Sequence, residues 1–440
     1  MSDPGKLYVK TFGCQMNVYD TEKIYAFLQD SHVPAGSAEE ADVIILNTCS
    51  IREKAEQKVY SLLGRIKPLK DVKPDLLIGV GGCVAQQEGE RILKRSPVVD
   101  VVFGTHNLDE LPGLIRERKY SGKRICRVRE DTGSVPTAEA PRVHGIKRAT
   151  SLITIMKGCD NFCAYCVVPL VRGREVSRPA SEILDEAVFL IEGGVKEITL
   201  LGQNVNSYLD PASGKGFVSL LESMEMLPGL ERLRFVTSHP KDFSPALAHA
   251  MAELSKVCEH IHLPLQAGSD RVLKAMKRGY TSKQYLEKVD LLKDLIPGVE
   301  FSTDIIVGFP GEERSDFEET LKILKNVRYQ NVFSFRFSPR PGTAAIEMED
   351  PVAPDVKRPW LPELQVVQNQ ITTEKHLELV GAEVEVLVED VDKKNSGSLE
   401  GRTRSNYILH FPGDPTLIGR MVRVKITDSG AIHLIGELVK

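Results

Sequence analysis

The sequence predicts an α/β protein in three parts: an N-terminal parallel-sheet α/β domain, a central partial (β/α)6 barrel, and a small all-β barrel at the C-terminus. Three observations predict it. Apolar runs of strand length alternate with single helical patterns through the first 125 residues or so. Six more strand–helix repeats then follow over about 200 residues. Beyond Gly381 the period changes to alternating strands joined by Gly, Asp and Asn turns. The expected domains are 5–125, 145–375 and 378–440.

In the first part KLYVKTF, ADVIILN, DLLIGVGG and VVDVVFG read as strands. Helices are expected near Asp20–Gln29, Arg52–Arg65 and Gln87–Lys94. Strands separated by one helix make βαβ units and a parallel sheet. The polar, breaker-rich stretch at about 130–148, with DTGSVPTAEAPRVHG, reads as a linker. The central strands are SLITIM, EITLLGQ, LRFVTS, HIHLPLQ, FSTDIIVGF and NVFSFRFS. Six is fewer than the eight of a complete barrel, so an open, partial one is expected. The last part holds AEVEVLVEDV, SGSLEGRTRSNYILHF, GRMVRVKITDS and AIHLIGELV, a small barrel-like domain.

With 57 basic and 61 acidic residues the net charge is −4, so nothing global marks a nucleic-acid binder. Any polyanion site must be built locally. The opening MSDPGKLYVKTFGC has no apolar core of signal-peptide length, and no run approaches the ~18–20 apolar residues of a spanning helix. A cytoplasmic monomer without membrane contact is the expectation. In that reducing compartment the eight cysteines are expected as thiols, which turns attention from disulfides to metal or cluster ligation.

Six of the eight cysteines form two sets of three. GCDNFCAYC presents Cys159, Cys163 and Cys166 from one short loop, directly after the strand SLITIM. A zinc site wants a fourth protein ligand, and no fourth Cys or His follows in a finger-like register. Three thiolates and one open position suit an iron–sulfur cubane with an open iron. The other set is dispersed: Cys14, Cys49 and Cys83 each follow a predicted strand, at nearly equal spacing. Neighbouring strand ends in a parallel sheet lie about 5 Å apart, so the three can converge. The alternative is three ordinary buried cysteines. Cys126 and Cys258 have no partners at ligand spacing and read as ordinary buried thiols. In the dispersed set, again, there are three ligands and no obvious fourth, so a second cubane is expected whose open iron can hold an external sulfur atom.

C-x3-C-x2-C with an aromatic residue before the last Cys resembles the radical S-adenosylmethionine (SAM) signature. Over its whole length the chain resembles the radical SAM methylthiotransferases. TFGCQMNVYDTEK, NTCSIREKAEQKV, GGCVAQQ and CVVPLVRGREVSRP are similar to the MiaB-type tRNA branch of that family. The resemblance implies an N-terminal cluster domain, a radical SAM partial barrel and a C-terminal TRAM β domain. It implies two [4Fe-4S] clusters, one on Cys14, Cys49 and Cys83 and one on Cys159, Cys163 and Cys166, with SAM as the other cofactor. The implied reaction is methylthiolation of carbon 2 of N6-isopentenyladenosine at position 37 of tRNA. Siblings acting on threonylcarbamoyl-adenosine, or on an aspartate of a ribosomal protein, are the alternatives. Implied partners are the tRNA anticodon stem-loop, SAM and a reductant protein.

Candidate SAM contacts are Tyr165, beside the adenine in the family, then Gly202, Gln203 and Asn204 after the second barrel strand, and Ser302 and Asp304. The family's Gly-Gly-Glu triplet is absent after that strand, and Asp304 reads equally as a structural residue at a strand end. Candidate RNA contacts are Arg172, Arg174 and Arg178 beyond the compact triad, because guanidinium binds phosphate bidentately. Pairing with Glu175 or another carboxylate is the alternative. In the terminal domain Lys393, Lys394, Arg402 and Arg404 are candidates, although from Gly381 on eight Lys and Arg oppose nine Asp and Glu. His239 and Trp360 read as packing or loop residues.

Overall fold

The computed structural model describes residues 4–50, 53–129, 148–393, 395, 397–430 and 432–439. The expected linker therefore lies outside the described residues except for Arg148, as does Lys394.

The first sheet contains β1 (Gly5–Thr11), β2 (His32–Pro34), β3 (Val43–Thr48), β4 (Leu77–Gly82), β5 (Val101–Phe103) and β6 (Ile125–Arg127). All are parallel, in the order β2-β1-β3-β4-β5-β6. Every residue of β3 and β4 is buried, as expected of central strands in a parallel sheet covered on both faces. The two edge strands were not foreseen; at three residues each they are too short to show a period. The helix Gln15–Leu28 starts well before Asp20, with Cys14 as its cap. The helix expected at Gln87–Lys94 is two, Cys83–Glu88 and Glu90–Arg95, broken at Gly89.

The central strands are β7 (Thr150–Thr154), β10 (Glu197–Leu201), β11 (Arg232–Phe235), β12 (His260–His262), β13 (Glu300–Val307) and β14 (Asn331–Arg336). A short antiparallel pair, β8 (Met156–Lys157) and β9 (Val176–Ser177), brackets the compact cysteine loop. The six barrel strands are those expected, but they form two three-stranded sheets, β11-β10-β7 and β12-β13-β14. The seam carries, among the described residues, the Leu233–Val257 bridge and the Ser238 amide donating to the His262 carbonyl at 3.4 Å. Among the described residues β14 does not pair with β7, so the barrel is open, as expected. Its outer core includes Trp360, fully buried and stacked on Phe317 at 5.3 Å.

The last domain is a closed five-stranded barrel of β15 (Glu383–Val391), β16 (Ser398–Thr403), β17 (Ile408–Pro412), β18 (Met421–Ser429) and β19 (Leu434–Leu438). The single segment SGSLEGRTRSNYILHF is two strands, because the chain turns at Asn406 with φ of +71°, a conformation Asn tolerates better than most residues. This barrel docks on the amino ends of the central strands. Arg232, the first residue of β11, donates to the Arg402 carbonyl at 2.8 Å. Arg234 donates to the carbonyls of Thr403 and Arg404 at 2.7 and 2.8 Å and to Glu197 at 2.8 Å. The Tyr407 hydroxyl donates to Glu300 at 2.9 Å. One end of the partial barrel is thus covered, and its carboxyl mouth is left to the cysteines.

Trp360→Ala should remove about 3–5 kcal/mol from the central domain by leaving a cavity against Phe317. Urea unfolding followed by circular dichroism checks this, and a loss below about 1 kcal/mol would contradict the packing role.

Candidate functional site

Cys14, Cys49 and Cys83 stand at the carboxyl ends of β1, β3 and β4, three neighbours in the sheet. Two glycines bring these ends close. A Cβ at Gly13, where φ is +111°, would stand 2.7 Å from Cys49 Sγ; one at Gly82, where φ is +89°, would stand 2.6 Å from Asn47 Oδ1. Two buried asparagines tie the ends together. Asn17 Nδ2 donates to Asn47 Oδ1 at 3.2 Å and to the Thr48 carbonyl at 2.9 Å, and Asn47 Nδ2 donates back to the Asn17 carbonyl at 2.8 Å. Thr48 Oγ1 completes the chain to the Gly81 carbonyl at 2.6 Å. The sequence reading missed Asn17 and Asn47, although both lie inside the quoted segments; their role depends on a strand order that the segments do not reveal.

The three thiols are not equivalent. A hydrogen bond with Cys49 pulls Cys14 down to about 6 against the effect of burial, with help from the Arg172 charge. Burial pushes Cys83 up, although Arg172 opposes it.

Cys159, Cys163 and Cys166 lie on the loop between β8 and the short helix Val168–Val171. The Cys166 amide donates to the Cys163 carbonyl at 3.0 Å, and the Cys159 amide donates to the Gly173 carbonyl at 3.2 Å. Burial first, then the neighbouring Cys163, drives Cys166 up to about 12. Cys163 meets two residues from other barrel loops. Arg278, buried, points Nη1 at its sulfur at 3.3 Å, and His239 Nε2 lies 3.9 Å from it. Burial, with Arg278 and Lys241 nearby, lowers His239 to about 2, so its ring is neutral. Arg278 went unnoticed in the sequence and His239 was read as packing, since neither lies near Cys163 along the chain.

The two triads share one mouth. Cys14 packs against the cluster of Met16, Tyr19 and Leu201, which Leu152 of β7 and Val236 after β11 also join. Cys83 packs against Val167 and Val171, in the segment that directly follows Cys166. Among the described residues no three His, Cys, Asp or Glu side chains close on a single ion. Each set offers three soft sulfurs, a donor set that fits an iron–sulfur cluster. Nearby, Gln203 Oε1, Ser238 Oγ and Gln266 Oε1 are buried without a hydrogen-bond partner among the described residues. They follow β10, β11 and β12, and Thr237 and Gln266 there hold φ near +70°. Orphaned polar atoms at this mouth fit a polar ligand such as SAM.

The other predicted cofactor residues divide. Tyr165 is half-buried against the barrel core, its phenol raised by burial. Gly202 is buried, and Asn204 is spoken for: it donates to Asp242 at 2.7 Å and accepts from the His239 amide at 3.1 Å. Ser302 and Asp304 face His262, at 3.0 and 3.4 Å.

The predicted phosphate contacts meet partners inside the protein. Arg172 is buried and bonds Asp20 at 2.7 Å. Arg178 is buried too, donating to Glu186 at 2.8 Å and to the Thr154 carbonyl at 2.7 Å. Arg402 pairs with Glu389, and Arg404 is held by Glu259 at 2.8 Å and by two carbonyls of the central barrel. Each of these four guanidiniums is spent on an internal partner. Arg174 is exposed but bonds Asp160 at 2.7 Å, and Lys393 is exposed. On the outer face of β18, Arg423 and Lys425 stand opposite Glu385 and Glu383 in register, so that face is mixed in charge.

Fold and site together define the class. Residues 153–324 match the radical SAM superfamily, residues 6–104 the uncharacterized protein family UPF0004, and residues 378–439 the TRAM domain. In fold the chain is similar to the radical SAM methyltransferase TsrM from Kitasatospora setae with cobalamin and a [4Fe-4S] cluster bound, at a TM-score of 0.57 and 14% identity, covering 78% of this chain and 77% of that one. It is also similar to the cobalamin-dependent radical SAM enzyme OxsB, at a TM-score of 0.51 and 14% identity, covering 83% and 56%. Along its full length the chain is 49% identical to the tRNA-2-methylthio-N(6)-dimethylallyladenosine synthase of Geobacter sulfurreducens, covering 100% of this chain and 98% of that one. The synthase of the same name from Moorella thermoacetica is also 49% identical, covering 98% and 97%. The chain belongs to the tRNA-2-methylthio-N(6)-dimethylallyladenosine synthase family.

In the metal-free chain, anaerobic alkylation by iodoacetamide should label Cys14 half-maximally near pH 6 and leave Cys166 unlabelled at pH 9. Peptide mass spectrometry reads both; equal labelling at pH 7 would refute the assigned asymmetry.

Proposed function

We propose that this chain methylthiolates carbon 2 of N6-isopentenyladenosine at position 37 of tRNA, beside the anticodon. In this reading Cys14, Cys49 and Cys83 hold one [4Fe-4S] cluster, and Cys159, Cys163 and Cys166 hold a second. The carrying observation is the convergence of both triads on one barrel mouth, with Cys83 packed on the segment that leaves Cys166. When bound, these groups and SAM supply reductive cleavage, hydrogen abstraction from carbon 2 and sulfur delivery.

The chain's own residues would do the rest. Arg278 directs a cation at Cys163 and, with the neutral ring of His239, screens that sulfur from water. Gln203, Ser238 and Gln266 offer unused oxygens to orient SAM, beside Tyr165. Ser302 and Asp304, with His262, present a polar wall to the ribose or the substrate base. An extruded anticodon-loop base entering this mouth is the expected mode for RNA. The division into 5–125 as cluster domain, 145–375 as radical SAM barrel and 378–440 as RNA-binding TRAM domain belongs to the same proposal. With Arg172, Arg178, Arg402 and Arg404 occupied internally, exposed Arg174 and Lys393 remain as cationic candidates for the backbone. Action in the cytoplasm as a monomer, with a separate reductant protein, completes the reading; no helix among the described residues is long and apolar enough to cross a membrane.

Nucleoside analysis of tRNA after anaerobic reaction with SAM and reductant tests the assignment: the isopentenylated adenosine should gain one methylthio group. Unchanged tRNA beside a modified ribosomal protein would favour the aspartate-directed reading instead. Cys163→Ala should abolish SAM cleavage, whereas Cys49→Ala should leave some abortive cleavage and no methylthiolated product. Equal loss of both activities in both variants, with folding intact, would contradict the division of labour.

A further inference from the structure

A buried ion pair joins the two triads. Arg172 ends the helix Val168–Val171, which begins two residues after Cys166, and its amide donates to the Val168 carbonyl at 2.8 Å. Its side chain bonds Asp20 at 2.7 Å, on the helix that Cys14 caps. Arg172 is 8% exposed and Asp20 7%. Val171, the preceding residue, packs on Cys83, and its carbonyl accepts from Thr105 Oγ1. The seven residues from Cys166 to Arg172 therefore run from a compact-triad ligand, past the contact with Cys83, to a guanidinium bonded to the helix that Cys14 caps.

We propose that Arg172 holds a positive charge beside the dispersed, sulfur-bearing centre. The proposal rests on the reading of Cys14, Cys49 and Cys83 as cluster ligands. A plain staple between domains does not require it. Tyr19, Arg178 and Glu186 already join the same helix to the barrel, with Arg178 bonding Glu186 at 2.8 Å and Tyr19 bonding Glu186 at 3.1 Å. Nor does stability, since a buried ion pair seldom surpasses an apolar pair of the same shape. A guanidinium that cannot lose its proton is instead suited to offset the negative charge that thiolates and sulfides bring. Net charge near a cluster sets its potential: a cation favours the reduced form and an anion disfavours it.

Charge and staple predict different signs. The test uses the full chain, reconstituted anaerobically, with Arg172→Gln, Arg172→Lys and Asp20→Asn. Iron and sulfide per chain are counted, and each cluster is titrated by spectroelectrochemistry with paramagnetic resonance; a background lacking Cys159, Cys163 and Cys166 isolates the dispersed centre. Arg172→Gln should lower the reduced-to-oxidised ratio of that centre about tenfold at fixed potential, about 59 mV for one electron. Asp20→Asn should move it the opposite way, and Arg172→Lys should stay near the parent. Loss of the dispersed centre's iron in Arg172→Gln but not Arg172→Lys also supports the charge. Shifts of one sign in both Arg172→Gln and Asp20→Asn, no shift in either, or iron loss in both Arg172 variants would overturn the proposal. A parent chain that binds one cluster only, lost with the compact triad, would instead sink the ligand reading and the proposal with it.

Discussion

Parallel strands all end on the same side of a sheet, and every other feature of the site depends on that constraint. Cys14, Cys49 and Cys83 occur in well-separated segments, yet each ends a strand, and β1, β3 and β4 are neighbours. Antiparallel strands would have sent one of the three to the far edge. The same rule places the orphaned oxygens of Gln203, Ser238 and Gln266 after consecutive barrel strands. Two parallel systems placed mouth to mouth then bring Cys14 and Cys83 against elements of the central barrel.

Facing the two mouths requires a rigid joint. The apolar contacts of Cys14 and Met16 with Leu152, Leu201 and Val236 exclude water from it. Polar pairs fix its register: Tyr19 with Glu186, Arg178 with Glu186, and Arg172 with Asp20. Buried pairs are directional where apolar contacts are not, which is the property a joint between two reactive centres needs. At the opposite end Arg232 and Arg234 do similar work, binding carbonyls of the terminal barrel's turn while Glu197 balances the charge.

Much of this was legible in the sequence, and for one reason. Period and turn chemistry are local, so the six barrel strands, the open topology and both cysteine sets could be read from short windows. What escaped was non-local or too short. β2 and β6 have three residues each. The turn at Asn406 hid within a run that alternates like one strand. Arg278 and His239 reach Cys163 from loops 115 and 76 residues away.

The arginines carry the sharpest lesson. A guanidinium following a cluster loop reads as a phosphate contact, because its charge and fork geometry suit phosphate. They suit a carboxylate equally. What decides between the two is whether an acid from another segment reaches it, and Asp20 and Glu186 do so for Arg172 and Arg178. The near-neutral net charge is consistent with this: in such a chain most cations have acidic partners to find, and burial selects those pairs that hold domains together. A count of basic residues near the cysteines therefore says little about affinity for a polyanion, because Arg172 and Arg178 there face acids inside the protein.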